Sequence, residues 1–162
     1  MTVLHLGVID IPYITFESLR DRRQRLKKNA STPGVAPSTG LQTTGDVAGY
    51  LENDYGIMRT FYTRNRAQIV KELENSFAGA VESIAMGAPP TLSLTSAATS
   101  KIEDMFHRFL ERGEMEGLGI PGVPTEAAKR GVNHRLKIKR GARRPSFIDT
   151  GLYDASFKAW VD

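Results

Sequence analysis

The side chains that most often carry out catalysis or bind metals are sparse in this chain of 162 residues. It contains no cysteine, which excludes disulfides, thiolate metal sites and cysteine nucleophiles. Its three histidines, His5, His107 and His134, are far apart and do not have the spacing of metal ligands. The sequence therefore predicts no metal site.

Carboxylates also lack a catalytic arrangement. Neighbouring acids lie one or two positions apart: Glu72 with Glu74, Glu103 with Asp104, and Glu114 with Glu116. On a helix such pairs point in different directions, so we expect solvated faces. The triplet Asp149-Thr150-Gly151 occurs once, whereas aspartic protease chemistry needs two carboxylates that share a proton. With no phosphate-binding or dinucleotide-binding glycine motif, no zinc motif and no nucleophile elbow, we expect neither a cofactor nor an enzyme.

The basic residues are concentrated in two segments, although the net charge is only +4. Residues 20–28 and 129–144 hold 14 of the 22 lysines and arginines, and the remainder of the chain carries a formal charge of −9. This asymmetry indicates an anionic partner. Either nucleic-acid phosphates or the acidic face of another copy of the chain would fit.

The second basic segment supplies the candidate contact residues. They are Lys129, Arg130, Arg135, Lys137, Lys139, Arg140, Arg143 and Arg144. Neither segment has interleaved aromatic residues, so base-specific reading of a single strand is not expected. No apolar run reaches the roughly 18 to 20 residues that span a membrane, and the predicted partners include no membrane. At this stage we expect an intracellular, soluble protein.

Periodicity predicts an α+β domain spanning 1–162. Residues 3–9 form a predicted strand with Leu4, Leu6 and Val8 on one face, and residues 156–161 form a terminal strand that we expect to pair with it. The sheet is predicted to be small and antiparallel, to include both terminal strands, and to pack on one long and one medium amphipathic helix.

Three helices are predicted with clear start or stop signals, and residues 15–28 could be either a helix or a basic arm. A short helix over 46–55 follows Thr44 as N-cap, and a long helix over 65–86 carries an apolar stripe. A third helix occupies 100–112, or starts as early as Ser93, with Ser100 and Glu103 as a capping box. Its apolar face comprises Ile102, Met105, Phe106, Phe109 and Leu110. The stripe of the long helix comprises Val70, Leu73, Phe77, Ala80, Val81 and Ile84. We expect that helix to be the spine of the domain, and residues 29–43 and 113–144 to be extended loops or arms that become ordered on assembly.

Two motifs in order resemble those of the neck and tail-completion proteins of tailed phages. The first is Val47-Ala-Gly-Tyr-Leu-Glu-Asn-Asp-Tyr-Gly-Ile-Met-Arg-Thr-Phe-Tyr-Thr-Arg64, where that family has a short helix, a turn and then a long helix. The second is Pro145-Ser-Phe-Ile-Asp-Thr-Gly-Leu-Tyr-Asp-Ala-Ser156. The opening Gly-Val-Ile-Asp-Ile-Pro strand agrees as well. The chain departs from the family pattern in lacking a proline after Arg59 and in placing its glycine late, at Gly56.

The resemblance implies a structural virion protein. Such a subunit would assemble in the host cytoplasm into a homo-oligomeric ring, with six-fold symmetry favoured, at the head-to-tail junction. Its partners would be the portal adaptor and the tail terminator or tail tube proteins, and genomic DNA would pass through the ring and could be contacted non-specifically. The matching motif residues are Arg59, Phe61, Tyr62, Arg64, Asp149, Thr150, Gly151 and Ser156.

A small DNA-binding protein that uses the basic segments directly is the alternative function. For Phe61 and Gly151 a purely structural role is favoured: Phe61 and Tyr62 would anchor a turn on the core. Gly151 would permit a turn with positive φ, while Asp149 and Thr150 would accept hydrogen bonds from nearby backbone N–H groups.

Overall fold

A computed structural model describes residues 3–12, 43–89, 95–133, 139–148 and 150–162. The predicted arm over 29–43 and the basic residues 20–28 therefore lie outside the described part, apart from Thr43. In chain order the elements are β1 (Leu4–Val8), α1 (Thr44–Tyr55), α2 (Ile57–Ala85), α3 (Ser96–Glu111), a 3-10 helix (Glu114–Leu118), α4 (Glu126–Arg130), α5 (Leu152–Ser156) and β2 (Phe157–Val161).

The predicted pairing of the two terminal strands is confirmed. β1 and β2 form a two-stranded antiparallel sheet in which Leu4 lies opposite Val161 and Val8 opposite Phe157. Leu4, Leu6 and Val8 pack against the core, as their alternation predicts. A two-stranded sheet is marginal by itself, so its stability depends on the helices beneath it. The α+β class is confirmed.

The segment after β1 is fastened to the start of α1. The Thr44 hydroxyl, fully buried, donates to the carbonyl of Ile9 (2.6 Å) and accepts from the Ile11 N–H (2.8 Å). The predicted N-cap at Thr44 is wrong by one residue: Thr43 caps the helix, accepting from the Asp46 N–H while Asp46 accepts from the Thr43 N–H. Thr44 is instead used to join the strand to the helix.

The long helix begins eight residues earlier than predicted, at Ile57. The segment from Arg59 to Arg64 is therefore helical and not a turn, because no proline interrupts it. Gly56 makes the corner in the left-handed conformation, with φ 61° and ψ 43°. The first N–H groups of α2 are capped from α1, where the Glu52 carboxylate accepts from Met58 at 2.7 Å and from Arg59 at 3.3 Å.

The third helix also begins earlier than its predicted capping box. α3 starts at Ser96, so Ser100 lies within it and Thr95 precedes it without a side-chain cap. Glu103, the other half of the predicted box, reaches the terminal strand instead. Its carboxylate accepts from the Ala159 N–H at 3.2 Å and from Lys158 Nζ at 2.7 Å, which satisfies part of the outer edge of β2.

The core is an aromatic cluster between α2, α3 and β2. Phe106 stacks on Phe157 with ring centroids 3.8 Å apart and meets Phe61 edge-on at 5.2 Å. All three rings are fully buried, and Phe109 lies 5.6 Å from Phe61. The predicted apolar face of the third helix is confirmed, since Ile102, Phe106, Phe109 and Leu110 are buried.

The predicted apolar stripe of the long helix is only partly used by this core. Leu73 packs against the core, but Val70, Phe77, Val81 and Ile84 are 41%, 38%, 67% and 43% exposed. The buried residues of α2 lie earlier, at Ile57, Phe61 and Ile69. The spine prediction therefore holds for the first half of α2 and fails for its second half.

Candidate functional site

The stretch predicted to be an extended arm, 113–144, is instead folded onto the body over its described residues. Met115, in the 3-10 helix, is 1% exposed and joins the core, and Ala128, in α4, is also 1% exposed. Thr125 caps α4 by accepting from the Ala128 N–H, and Gly131 ends it in the left-handed conformation. The prediction failed because single apolar residues dock this stretch without any helical periodicity that the sequence could reveal.

Glu116 joins the 3-10 helix to residues 143–146. One carboxylate oxygen accepts from the Ser146 N–H (3.1 Å) and hydroxyl (3.0 Å), and the other accepts from Arg143 Nη2 (2.7 Å). The Ser146 hydroxyl also accepts from the Thr125 N–H at 3.1 Å. Burial alone would raise the pKa of Glu116, but the hydrogen bonds from Arg143 and Ser146 outweigh it and lower that pKa.

A close backbone contact at Gly131 brings residues 139–142 against α4. A Cβ on Gly131 would overlap the carbonyl oxygen of Ala142 and the backbone of Gly141. The Gly141 N–H donates to the carbonyl of Arg130 at 3.1 Å, and the Arg144 N–H donates to the carbonyl of Ala128 at 3.2 Å. Only glycine combines the φ of 61° with this approach.

The result is a positively charged concavity, which we call the basic cradle. It has a volume of about 480 Å³ and is lined by Lys129, Arg130, Lys139, Arg140 and Gly141. Glu126 lies beside it, with carboxylate oxygens 2.9 Å from Lys129 Nζ and 3.6 Å from Arg130 Nη2. A hydrogen bond from Lys129 and the charges of Lys129 and Arg130 lower the pKa of Glu126, so this carboxylate is anionic at neutral pH.

The structure divides the predicted contact residues into distinct groups. Lys129, Arg130, Lys139 and Arg140 come together in the basic cradle. Arg143 is paired with Glu116, and the half-buried Arg144 donates to the carbonyls of Ile148 and, at 3.1 Å, Val132. Arg135 and Lys137 lie outside the described residues.

The residues of the first family motif do not form one site. Phe61 is in the core, whereas Tyr62 is 39% exposed. The Arg59 side chain is largely exposed, with Nε 3.9 Å from Glu52, and Arg64 Nε lies 3.7 Å from Glu114. Phe61 thus anchors a helix and not the predicted turn.

In the second motif, Gly151 has φ 76°, the conformation predicted for it. The Thr150 hydroxyl accepts from the Leu152 N–H at 3.4 Å, and the buried Ser156 donates to the carbonyl of Tyr153 at 2.8 Å. Asp149 lies outside the described residues. These contacts are local and shape the approach to β2.

A pairing that the sequence did not predict joins His107 of α3 to Asp154 of α5. The imidazole Nδ1 lies 2.8 Å from the Asp154 carboxylate, and both side chains are partly buried. In the sequence His107 lies beside Phe106 on the third predicted helix, and nothing near it indicates this partner. Here the contact ties α5 to α3 and orients the ring.

The described residues contain neither a metal-binding cluster nor a helix that could span a membrane. Within those residues no cluster of three or more histidine, aspartate or glutamate side chains could hold a metal ion. No helix in the described part combines the length and the apolar character that crossing a bilayer requires.

Comparison with known proteins yields no relative. No protein-family model matches the chain, and no curated protein or solved structure matches it significantly. The likeness to phage neck proteins therefore depends on the order of the sequence motifs alone.

Sequence reasoning missed the two residues that build the cradle region. Glu116 was considered only as a neighbour of Glu114, because nothing local in the sequence indicates contacts with Arg143 and Ser146. Gly131 had a usable signal: it follows Glu-Ala-Ala-Lys-Arg, a short helical sequence with basic residues at its end, and is therefore placed as a helix-ending glycine.

Proposed function

We propose that this chain is a structural subunit that assembles with further copies of itself into a ring, acting as a head-to-tail connector of a tailed-phage virion and not as an enzyme. The motif order from Val47 to Arg64 and from Pro145 to Ser156 supports the connector role. The exposed apolar stripe of α2 supports self-assembly, and it is the observation that carries the proposal.

The alignment of α2 with α3 explains why most of that stripe is not buried in the core. Phe61 contacts Phe106 and Glu72 pairs with Lys101 at 2.7 Å, so α2 and α3 run antiparallel. Extending the two pairings by equal numbers of residues places Ser96, the first residue of α3, level with residues 71 to 77 of α2. About two to four turns of α2, which include Val81 and Ile84, therefore extend beyond α3.

The spacing of the stripe suits another helix as its partner. Val70, Phe77 and Ile84 recur every seven residues, and the exposed Val81 lies between the last two. Leu73, which also falls on the stripe, packs against the core of its own chain. A repeat of three and four residues presents a continuous seam to a neighbouring helix. A second copy supplies the same seam. Two copies that meet seam to seam about a two-fold axis would close as a dimer, whereas a ring needs a contact that repeats from each subunit to the next. We propose the second arrangement, in which parallel α2 helices surround the ring axis and the seam of each packs on both neighbours, with six subunits in the ring and with the portal adaptor and the tail terminator or tube on either side.

The test is the mass of the assembled full-length protein, measured by analytical ultracentrifugation and native mass spectrometry over a range of concentrations. We expect a closed oligomer larger than a dimer, and we expect Val81→Glu to weaken assembly at least about tenfold, because an unpaired charge would be buried in the seam. Asn75→Glu, which adds the same charge on another exposed face of α2, is the matched control.

Two outcomes would contradict the proposal. A wild-type protein that stays monomeric at high concentration would exclude self-assembly of this chain by itself. Equal loss of assembly in Val81→Glu and Asn75→Glu would show that net charge, and not the seam, controls association. Circular dichroism of each variant checks that the fold is retained, which we expect because both positions are exposed.

A further inference from the structure

We propose that the basic cradle binds the phosphate backbone of nucleic acid without regard to base sequence. This inference does not depend on the connector role, since it rests on the contacts around α4 and residues 139–144. A monomer could bind in this way, and so could each subunit of a ring.

The charge of the cradle is not balanced within the described residues. Four cationic side chains line it, and Glu126 contributes one carboxylate, giving a formal charge of +3. Lys139 and Arg140 form no ion pair with any other described residue. An anionic ligand would therefore meet two unneutralised cations as well as Lys129 and Arg130, whose single shared partner leaves donors for a ligand.

The backbone of the cradle is fixed before any ligand arrives. The contact of Gly131 with residues 141–142, the Gly141 to Arg130 hydrogen bond and the Glu116 pairing with Arg143 all hold residues 139–144 against α4. Binding would consequently not require ordering of this segment. Preorganised charges bind more tightly than the same charges on a free arm.

The volume of the cradle and the chemistry of its side chains indicate which class of anion it binds. A concavity of about 480 Å³ is far larger than one phosphate group needs and can hold neighbouring phosphates of a chain. Arginine forms paired hydrogen bonds to phosphate oxygens, and lysine contributes a point charge. Among the described lining residues none is aromatic, so no stacking would distinguish bases.

The experiment measures binding of two short DNA duplexes of unrelated sequence to full-length protein by fluorescence anisotropy, from about 50 to 200 mM salt. We expect equal affinity for both duplexes. If all four cations contact phosphates, the logarithm of the association constant should fall with the logarithm of salt concentration with a slope of about −3 to −4.

Lys139→Ala/Arg140→Ala should weaken binding at least about tenfold at 100 mM salt and reduce the slope by about two. The matched control is Arg66→Ala/Lys71→Ala, which removes the same charge from exposed positions on α2 and should change affinity far less. Gly131→Ala keeps every cation but forces residues 141–142 away, so it should weaken binding as well.

The inference is overturned if the cradle and control variants lose the same affinity, or if the cradle variants bind as the wild type does. Competition decides between sources of negative charge. Displacement by poly-glutamate as efficient as by unlabelled duplex, at equal charge concentration, would assign the cradle to an acidic protein surface. Equally efficient displacement by inorganic phosphate would indicate a site for a single phosphate.

Discussion

Glu116 and Ser146 lie thirty residues apart in sequence, yet one carboxylate oxygen accepts both the backbone N–H and the hydroxyl of Ser146, at 3.1 and 3.0 Å. This pairing, together with the Arg143 contact, places the end of the basic segment beside the 3-10 helix. A side chain outside the cradle thus helps to hold the segment that follows Lys139 and Arg140.

Glu116→Gln should lower the free energy of unfolding by about 1.5 to 3 kcal/mol, because it weakens hydrogen bonds made to a charged group. The Glu116 side chain is only 17% exposed, so solvent does not replace these contacts. Glu126→Gln, at an exposed carboxylate that also faces two cations, should change stability far less, because solvent screens exposed ion pairs. Urea unfolding compares the two, and similar losses would contradict the role given to Glu116.

Because the pKa of Glu116 is lowered, we expect its contacts with Arg143 and Ser146 to weaken in acid. Its folded-state pKa lies below the value of about 4.3 for an unfolded glutamate. The stability it contributes is therefore fully present above that value, and is lost as the pH falls through the lowered folded pKa. Hydrogen exchange at the Ser146 amide, corrected for the intrinsic pH dependence, should accelerate in this acidic range. Glu116→Gln should abolish that pH dependence; an unchanged profile in the variant would assign it to other groups.

Gly56→Ala should destabilise the protein by about 1 to 2 kcal/mol, the cost of placing a side chain in the left-handed conformation. A Cβ there has open space, with its nearest atom 4.0 Å away, so the loss comes from the backbone and not from a clash. Gly49→Ala, within α1 and also unobstructed, should stabilise by about 0.5 to 1 kcal/mol. Thermal or urea unfolding should show these opposite signs, and equal effects would contradict the corner geometry.

Phe61→Ala should cost about 3 to 5 kcal/mol, since it removes a fully buried ring from the aromatic core. Tyr62→Ala should cost about 1 kcal/mol or less, because that ring is 39% exposed. If the neighbouring aromatics instead acted as one anchor, as the sequence motif suggested, the two losses would be similar. Phe61→Leu keeps most of the buried volume and should retain the fold if the alanine variant does not.

Local patterns were sufficient to predict which face of β1 and which face of α3 is buried. The alternation of Leu4, Leu6 and Val8 predicted the strand face, and the spacing of Ile102, Phe106 and Phe109 predicted the buried face of α3. Helix starts were predicted less well. Thr43 and Thr44 are both chemically able to cap α1, and the choice between them depends on whether the Thr44 hydroxyl is already bonded to the backbone of Ile9 and Ile11. Ser100 can also cap, but α3 begins before it.

At the candidate site, too, the sequence predicted the charged residues but not which of them are paired. Its eight cations were predicted as one contact set, because sequence alone counts charge. Tertiary contacts separate Arg143 and Arg144, which are occupied by Glu116 and backbone carbonyls, from the four cations of the cradle. In the sequence a paired cation cannot be distinguished from an unpaired one, because the acid that pairs with it lies far away in the chain.

The sequence by itself determined the α+β class, the two terminal strands, the long helix and the concentration of positive charge, because each is encoded by residues close together in the chain or by simple alternation. Only the tertiary structure decided which half of α2 is buried, that Glu116 contacts Arg143 and Ser146, and that Gly131 packs against the backbone of residues 141–142. These depend on contacts between residues far apart in sequence, and such contacts leave no periodic trace in either partner.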